Sequence, residues 1–366
     1  MNSATSNSIS QSAAAKDAAL LPDGSTTTED VVYEVQVADH PVVVQVDTDK
    51  EPAPRRHRPR RVWLPVILFS LTCVTTWFAG ACRWMPLDHL IRCVTGQPIS
   101  LDGSDYFSAP FSFMPLRQII YSHWREGLMY MLGVQSMLLA HEMGHYVFTL
   151  IYRVRATLPI FLPVPILPTG TMGAVIAMEG QKADRRQIFD IGIAGPLAGL
   201  AVTIPLLWIG ILQLDLTRPP SGGLAMDLPL VIRWSIDWMH PGKLTSDNLV
   251  WLGQANPWFF AGWFGLLMTA LNMMPVSQLD GGHITYTLWG KGAHWVARGF
   301  MLFVFAYITY SGNLAGILMA VLVMFIGTDH PPTSDDRVPL GWGRTILGYA
   351  SLAIPVLCFA PRFFVM

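Results

Sequence analysis

The apolar positions of this chain are gathered into long runs separated by short polar or proline-rich stretches. Val62–Ala81, Leu128–Ile151, Ile188–Leu214 and Trp251–Met274 are each apolar over about the 20 residues that a helix needs to cross a hydrocarbon core. Three further runs follow, Val296–Tyr310, Leu314–Ile326 and Trp342–Phe363, the first two joined by Ser311-Gly312-Asn313 as an antiparallel pair. The pattern predicts an all-α polytopic membrane protein of about seven transmembrane helices. One stretch departs from it. Leu158–Pro168 is apolar but carries prolines at 159, 163, 165 and 168, which no regular spanning helix accommodates. Gly170–Gly180 follows, and together they predict a short re-entrant strand or hairpin. Non-helical backbone at that depth is tolerated only where protein or a wet cavity covers it.

The segments between the runs set domain organisation and orientation. Residues 1–61 read as a disordered tail ending in a basic anchor, with a small hairpin expected between Val31–Val37 and Val42–Val46 around Asp39-His40-Pro41. No signal peptide is expected, since a charged start followed by an apolar core is missing. Arg55–Arg61 directly precedes the first run and reads as a positive-inside anchor rather than a nucleic-acid patch. That places the amino terminus in the cytosol or stroma, in a bacterial inner membrane or an organelle membrane. Arg153, Arg155, Lys182, Arg185 and Arg186 then mark inner loops. Residues 82–127 read as an outer interfacial stretch and 215–249 as a polar outer loop. Residues 62–366 form the membrane-embedded domain, with a catalytic core at about 125–290.

Composition sharpens the class. The chain is 52% hydrophobic and 13% charged, the latter about half the share usual in a soluble domain. A net charge of −1 with one short basic cluster excludes nucleic acid as a partner. The four cysteines show no CxxC spacing; Cys73 and Cys358 sit in apolar runs, while Cys82 and Cys93 could pair if their loop faces an oxidising compartment.

The chemistry is concentrated in the second run, at His141-Glu142-Met143-Gly144-His145. On a helix, residues four apart lie nearly over one another, so the two imidazoles converge on one point, as a zinc ion requires. Glu142 sits one position round, placed to act as a base. Ionisable side chains are expensive in an apolar segment and normally functional there, which favours a metal site over incidental histidines. A catalytic zinc needs a third protein ligand. Asp280, in Asp280-Gly281-Gly282-His283, lies at the matching inner end of the fourth run; a helix-capping role for Asp280 and ligation by His283 are the alternatives. Ala194–Gly199 holds small residues that let helices approach closely, and a kink at Pro196 beside the metal is expected.

HExxH in one run and Asn-x-x-Pro-x-x-x-x-Asp-Gly-Gly (Asn272–Gly282) in a later one resemble the site-2 protease family, the intramembrane zinc metalloproteases of peptidase family M50. The resemblance covers roughly residues 125–290, including Gly170-Thr171-Met172-Gly173 and Ala194-Gly195-Pro196; the role of the His330-Pro331-Pro332 loop stays open. It implies that His141, His145 and Asp280 bind Zn2+ and that Glu142 is the catalytic base. Asn272 would steady the substrate backbone or the developing oxyanion, and the strand with Gly170 and Gly173 would pair with an unwound substrate. The implied partners are a transmembrane protein substrate and the lipid bilayer. The chain departs from bacterial members that carry a PDZ domain, because the roughly 35 residues of 215–249 are fewer than an independent domain of about 40–50 needs. A transporter or channel and a catalytically silent scaffold are the rival readings. An intact Glu142 and catalytic spacing of the histidines speak against both.

Overall fold

The computed structural model describes residues 32–37, 40–45, 62–101, 104–106, 109–218, 224–244, 247–311, 330–360 and 362–365. Contacts divide the chain into two units, Met1–Arg60 and Arg61–Met366. In the first, β1 (Val32–Val37) and β2 (His40–Gln45) pair antiparallel from Val32↔Gln45 to Val37↔His40, which is the hairpin that the alternating valines predict. The remainder of the expected disordered tail and the Arg55–Arg61 anchor lie outside the described residues.

The second unit is mostly helical. It opens with α1 (Trp63–Ala81), whose bounds follow the first apolar run. The stretch expected to be interfacial holds α2 (Pro86–Thr95), a hairpin of β3 (Ile99–Leu101) and β4 (Ser104–Tyr106), and then the start of α3 (Met114–Ile151). That long helix absorbs the second run and leaves helical geometry once, at His123. The proline-rich stretch forms β5 (Ile160–Pro163), paired antiparallel with β6 (Thr171–Val175), as its prolines and glycines predict.

α4 (Arg185–Leu212) begins at a capping box in which Asp184 accepts from the Gln187 amide and Gln187 returns the bond. It carries Pro196, where a kink is expected, and Pro205 within one continuous helix. The stretch expected as an outer loop, 215–249, holds β7 (Ala225–Asp227), α5 (Leu230–Met239) and the start of β8 (Leu249–Trp251). Asn256 then caps α6 (Pro257–Asn272), so the fourth apolar run is a shorter helix than its hydropathy implies. α7 (Asp280–Trp289) and α8 (Ala293–Ser311) follow, while the expected span Leu314–Ile326 lies outside the described residues. The last run is divided. α9 (Trp342–Ser351) and α10 (Ile354–Cys358) flank a turn before Pro355, and the chain ends in β9 (Phe364–Val365), which joins β7 and β8 in a three-stranded sheet. Proline disfavours helical geometry in the residue before it, which makes one continuous helix unfavourable there.

The main core gathers α1, α3, α4 and α6 around Trp84, Tyr130, Met137, Phe259, Phe260 and Trp263, all essentially buried. Trp84 stacks on Phe260 at 4.6 Å, and Trp263 donates its indole N–H to the Asp227 carbonyl at 2.9 Å. All four cysteines are free thiols, so Cys82 and Cys93 are not paired. Among the described helices, Trp63–Ala81 and Arg185–Leu212 are long and apolar enough to cross a membrane. Outward positions such as Val66, Val74, Leu150, Ile151, Ile204 and Leu212 are apolar and exposed. An exposed apolar surface of that extent marks contact with something other than water.

Candidate metal and catalytic centre

α3 carries His141 and His145 on one face, their rings 4.9 Å apart at 73° and their Nε2 atoms 3.2 Å apart. α7 begins at Asp280, whose Oδ2 lies 3.3 Å from His141 Nε2 and whose Oδ1 lies 3.3 Å from His145 Nε2. The capping reading of Asp280 does not hold. Leu279 occupies the cap position, and Asp280 is the first helical residue. Gly281 and Gly282 allow close approach: a Cβ would fall 2.0 Å from the Met273 carbonyl at the first and 2.2 Å from the Ser277 carbonyl at the second. The Met273–Leu279 loop therefore folds tightly against the first turn of α7 and brings Asp280 back to α3.

These donors fit a zinc ion. At Zn–N and Zn–O lengths near ~2.0 Å, tetrahedral ligands stand about 3.3 Å from one another. The two imidazole Nε2 atoms, 3.2 Å apart, match one edge of such a tetrahedron, and the carboxylate approaches each of them with a different oxygen at 3.3 Å. Charge points the same way. The buried His145 donates Nδ1–H to the Ile191 carbonyl at 2.8 Å, which leaves a lone pair on the Nε2 that faces its neighbours. Asp280 Oδ2 is buried and accepts no hydrogen bond. Two imidazole nitrogens and a carboxylate converging in a buried site suit a cation.

α4 makes room for both imidazoles. A Cβ at Gly195 would lie 2.0 Å from His145 Nε2, and one at Gly199 would lie 3.1 Å from His141 Nδ1. Gly144 on α3 meets the Ala194 carbonyl equally closely, at 2.5 Å for a Cβ. The small residues of Ala194–Gly199 thus form a seat for His141 and His145 as well as a helix contact. Sequence reasoning identified the stretch but not this function. Its signal was Gly195 and Gly199 standing four apart, in register with His141 and His145.

Glu142 is buried beside the ligands and lines a cavity of about 140 Å³ with His141, His145, Asn272, Gln278 and Asp280. Asn272 ends α6, and its Nδ2 sits 3.1 Å from His141 Nε2, so the amide stands at the ligand cluster. The strand contributes Ala174, Val175, Ile176 and Met178 to that cavity. Gly170 and Gly173 do not border it: Gly170 (φ +73°) abuts the Thr75–Thr76 backbone of α1, and Gly173 (φ +107°) faces Met268. Their left-handed backbone favours glycine for conformation. Beyond β6, Thr157 donates to the Ala177 carbonyl (2.9 Å) and Glu179 donates to the Arg155 carbonyl (2.9 Å). The N–H and C=O of Ile176 and Met178 consequently face the other side, where no described residue pairs with them. Strand alternation produces this open edge. His283 lines the same cavity but stands outside the cluster of His141, His145 and Asp280, and its Nδ1 lies 2.6 Å from His330 Nε2.

Residues 129–306 match the model of peptidase family M50. The rice protein Probable zinc metalloprotease EGY1, chloroplastic (Oryza sativa subsp. japonica) is 32% identical over 250 residues, covering 63% of this chain and 40% of the relative. Its Arabidopsis thaliana namesake is 29% identical over 272 residues, covering 70% and 47%. Probable zinc metalloprotease EGY2, chloroplastic, of Oryza sativa subsp. indica is 29% identical over 171 residues, covering 46% and 30%. The chain therefore spans less than half the length of these relatives. No solved structure matches. With HExxH on α3 brought against the Asp-Gly-Gly start of α7, and the match running through both, residues 129–306 form a peptidase family M50 region.

Proposed function

We propose that this chain is an intramembrane zinc endopeptidase that hydrolyses a peptide bond in or near a transmembrane segment of another protein. The observation that carries this reading is the convergence of His141, His145 and Asp280, with Glu142 beside them in the same small cavity. The relatives named as zinc metalloproteases support it. His141, His145 and Asp280 would hold the ion. Zinc bound by three protein ligands acidifies water and polarises a carbonyl. Glu142 takes the proton released there and returns it to the departing amine. Asn272 offers its amide to the carbonyl oxygen as charge develops on it. The open edge at Ile176 and Met178 supplies backbone donors and acceptors to a substrate whose helix has unwound, by strand addition.

The membrane setting is part of the proposal. The apolar runs act as about seven spans, the amino terminus lies on the cytosolic or stromal side, and the outward apolar faces of α1, α3 and α4 meet lipid. The partners are then a transmembrane protein substrate and the bilayer. The test compares membranes holding the wild-type chain with membranes holding Glu142→Gln, by mass spectrometry of released soluble fragments. Fragments seen only with the wild type, and tightly bound zinc at one per chain, are expected. Identical fragment sets from the two membranes refute the reading.

A further inference from the structure

Beyond the residues that match the family, a segment from His330 to Arg344 returns to the centre and clasps the two helices behind it. Ser334 donates to the Ala183 carbonyl (2.9 Å), Arg185 donates its amide to the Asp335 carbonyl (3.3 Å), and Arg186 Nη2 donates to the Pro339 carbonyl (2.9 Å). Tyr286 of α7 donates its hydroxyl to Asp336 Oδ2 at 2.8 Å. Two of the contacts lead to metal ligands. Arg344 grips the buried Asp190 with two bonds, Nε to Oδ1 at 2.7 Å and Nη2 to Oδ2 at 2.8 Å, and Tyr152 at the end of α3 donates to the same carboxylate at 2.5 Å. The next residue, Ile191, is the one whose carbonyl fixes His145.

At the other end, His330 stacks on Tyr286 (4.3 Å, 17°) and meets His283, three residues from Asp280. Burial pushes the His330 imidazole below the usual histidine range. Neutral, it must donate Nδ1–H to the Pro331 carbonyl at 2.6 Å, because a carbonyl only accepts. Its Nε2 therefore accepts from His283 Nδ1–H.

We infer that Arg344 and His330 are positioning residues of the metal centre, Arg344 acting through Asp190 and Ile191 on His145, and His330 acting through His283 on Asp280. The inference rests on the zinc reading above. The clearance it regulates is small. α4 passes His145 so closely at Gly195 that no Cβ fits between them, so a slight slide of α4 displaces the ligand nitrogen. The bidentate Arg344–Asp190 contact fixes both the slide and the rotation of α4, which a point charge would not do. Groups that orient metal ligands from behind typically govern affinity by 10- to 100-fold.

The test uses the full-length chain in detergent micelles, loaded with Zn2+ for chelator competition and with Co2+ for visible absorption. Arg344→Met and His330→Phe should each weaken Zn2+ binding by about tenfold and alter the Co2+ bands, since ligand geometry changes. Tyr152→Phe removes one hydroxyl from Asp190 and carries the same readouts in milder form, so a variant that fails to fold leaves the question open to measurement. Folded variants with wild-type zinc affinity and wild-type Co2+ spectra, whatever their melting temperature, overturn the inference alone. A wild-type chain that binds no zinc overturns the metal reading and this inference with it.

Discussion

His145 and Ile191 face each other across the seam between α3 and α4, the imidazole Nδ1 donating to the carbonyl at 2.8 Å. That carbonyl belongs to a helix, yet it serves a side chain on a neighbouring helix, because Gly195 one turn on lets the two backbones close up. In the neutral ring, the bond selects the tautomer whose Nε2 lone pair faces His141 and Asp280.

Glu142→Gln should retain one zinc per chain and lose cleavage by at least about 100-fold, the lower range for removal of a general base. Glu142 lines the cavity without being one of the three converging donors, which is why metal and turnover should separate. Metal analysis paired with a fragment assay measures both; turnover near wild type with zinc in place would remove the role.

Gly195→Ala sets two effects against each other. In a helix interior alanine is favoured over glycine by about 1 kcal/mol. The added methyl would sit 2.0 Å from His145 Nε2, however, and must displace the ligand or the helix. Zinc affinity should fall at least about tenfold. Gly299→Ala in α8, with nothing within 4 Å of the new carbon, is the control and should leave zinc unchanged. Equal zinc affinity in the two variants would mean that Gly195 is not the seat of His145.

Ile176→Pro deletes an N–H on the open edge and leaves the Thr157 and Arg155 contacts on the paired side. A transmembrane substrate should be cut more slowly while zinc content stays at wild type. Normal cleavage of that substrate by a folded Ile176→Pro chain would exclude strand addition at this edge.

Asp280→Asn should lower zinc occupancy, since a neutral amide is a poorer ligand than a carboxylate. Cleavage should stay impaired when excess zinc restores occupancy. A capping role would predict almost no effect, as Asp and Asn rank together at caps. Full zinc with unaltered turnover would take Asp280 out of the ligand set.

Sequence alone determined the features that depend on local spacing. Period-3.6 geometry put His141 and His145 on one face, proline and glycine content made 158–180 a hairpin rather than a helix, and hydropathy set α1 and α4 to within a few residues. Asn256-Pro257 was a legible start signal for α6 that the hydropathy reading overrode, because Trp251 and Leu252 extend the apolar run but are committed to a strand and turn. Features joining distant residues came only from the tertiary structure. β9 at Phe364–Val365 pairs with β7 at Ala225–Met226, and Arg344 reaches Asp190, because two elements separated by more than a hundred residues meet in the folded core. The same holds inside the centre. HExxH announces two ligands and a base, but that Gly195 and Gly199 seat the imidazoles, that Ile191 orients one of them, and that Ile176 and Met178 rather than Gly170 and Gly173 present the open edge follow from how α4 and the hairpin dock on α3. Docking is decided by side-chain volume and backbone pairing summed over the whole core, which no local pattern encodes.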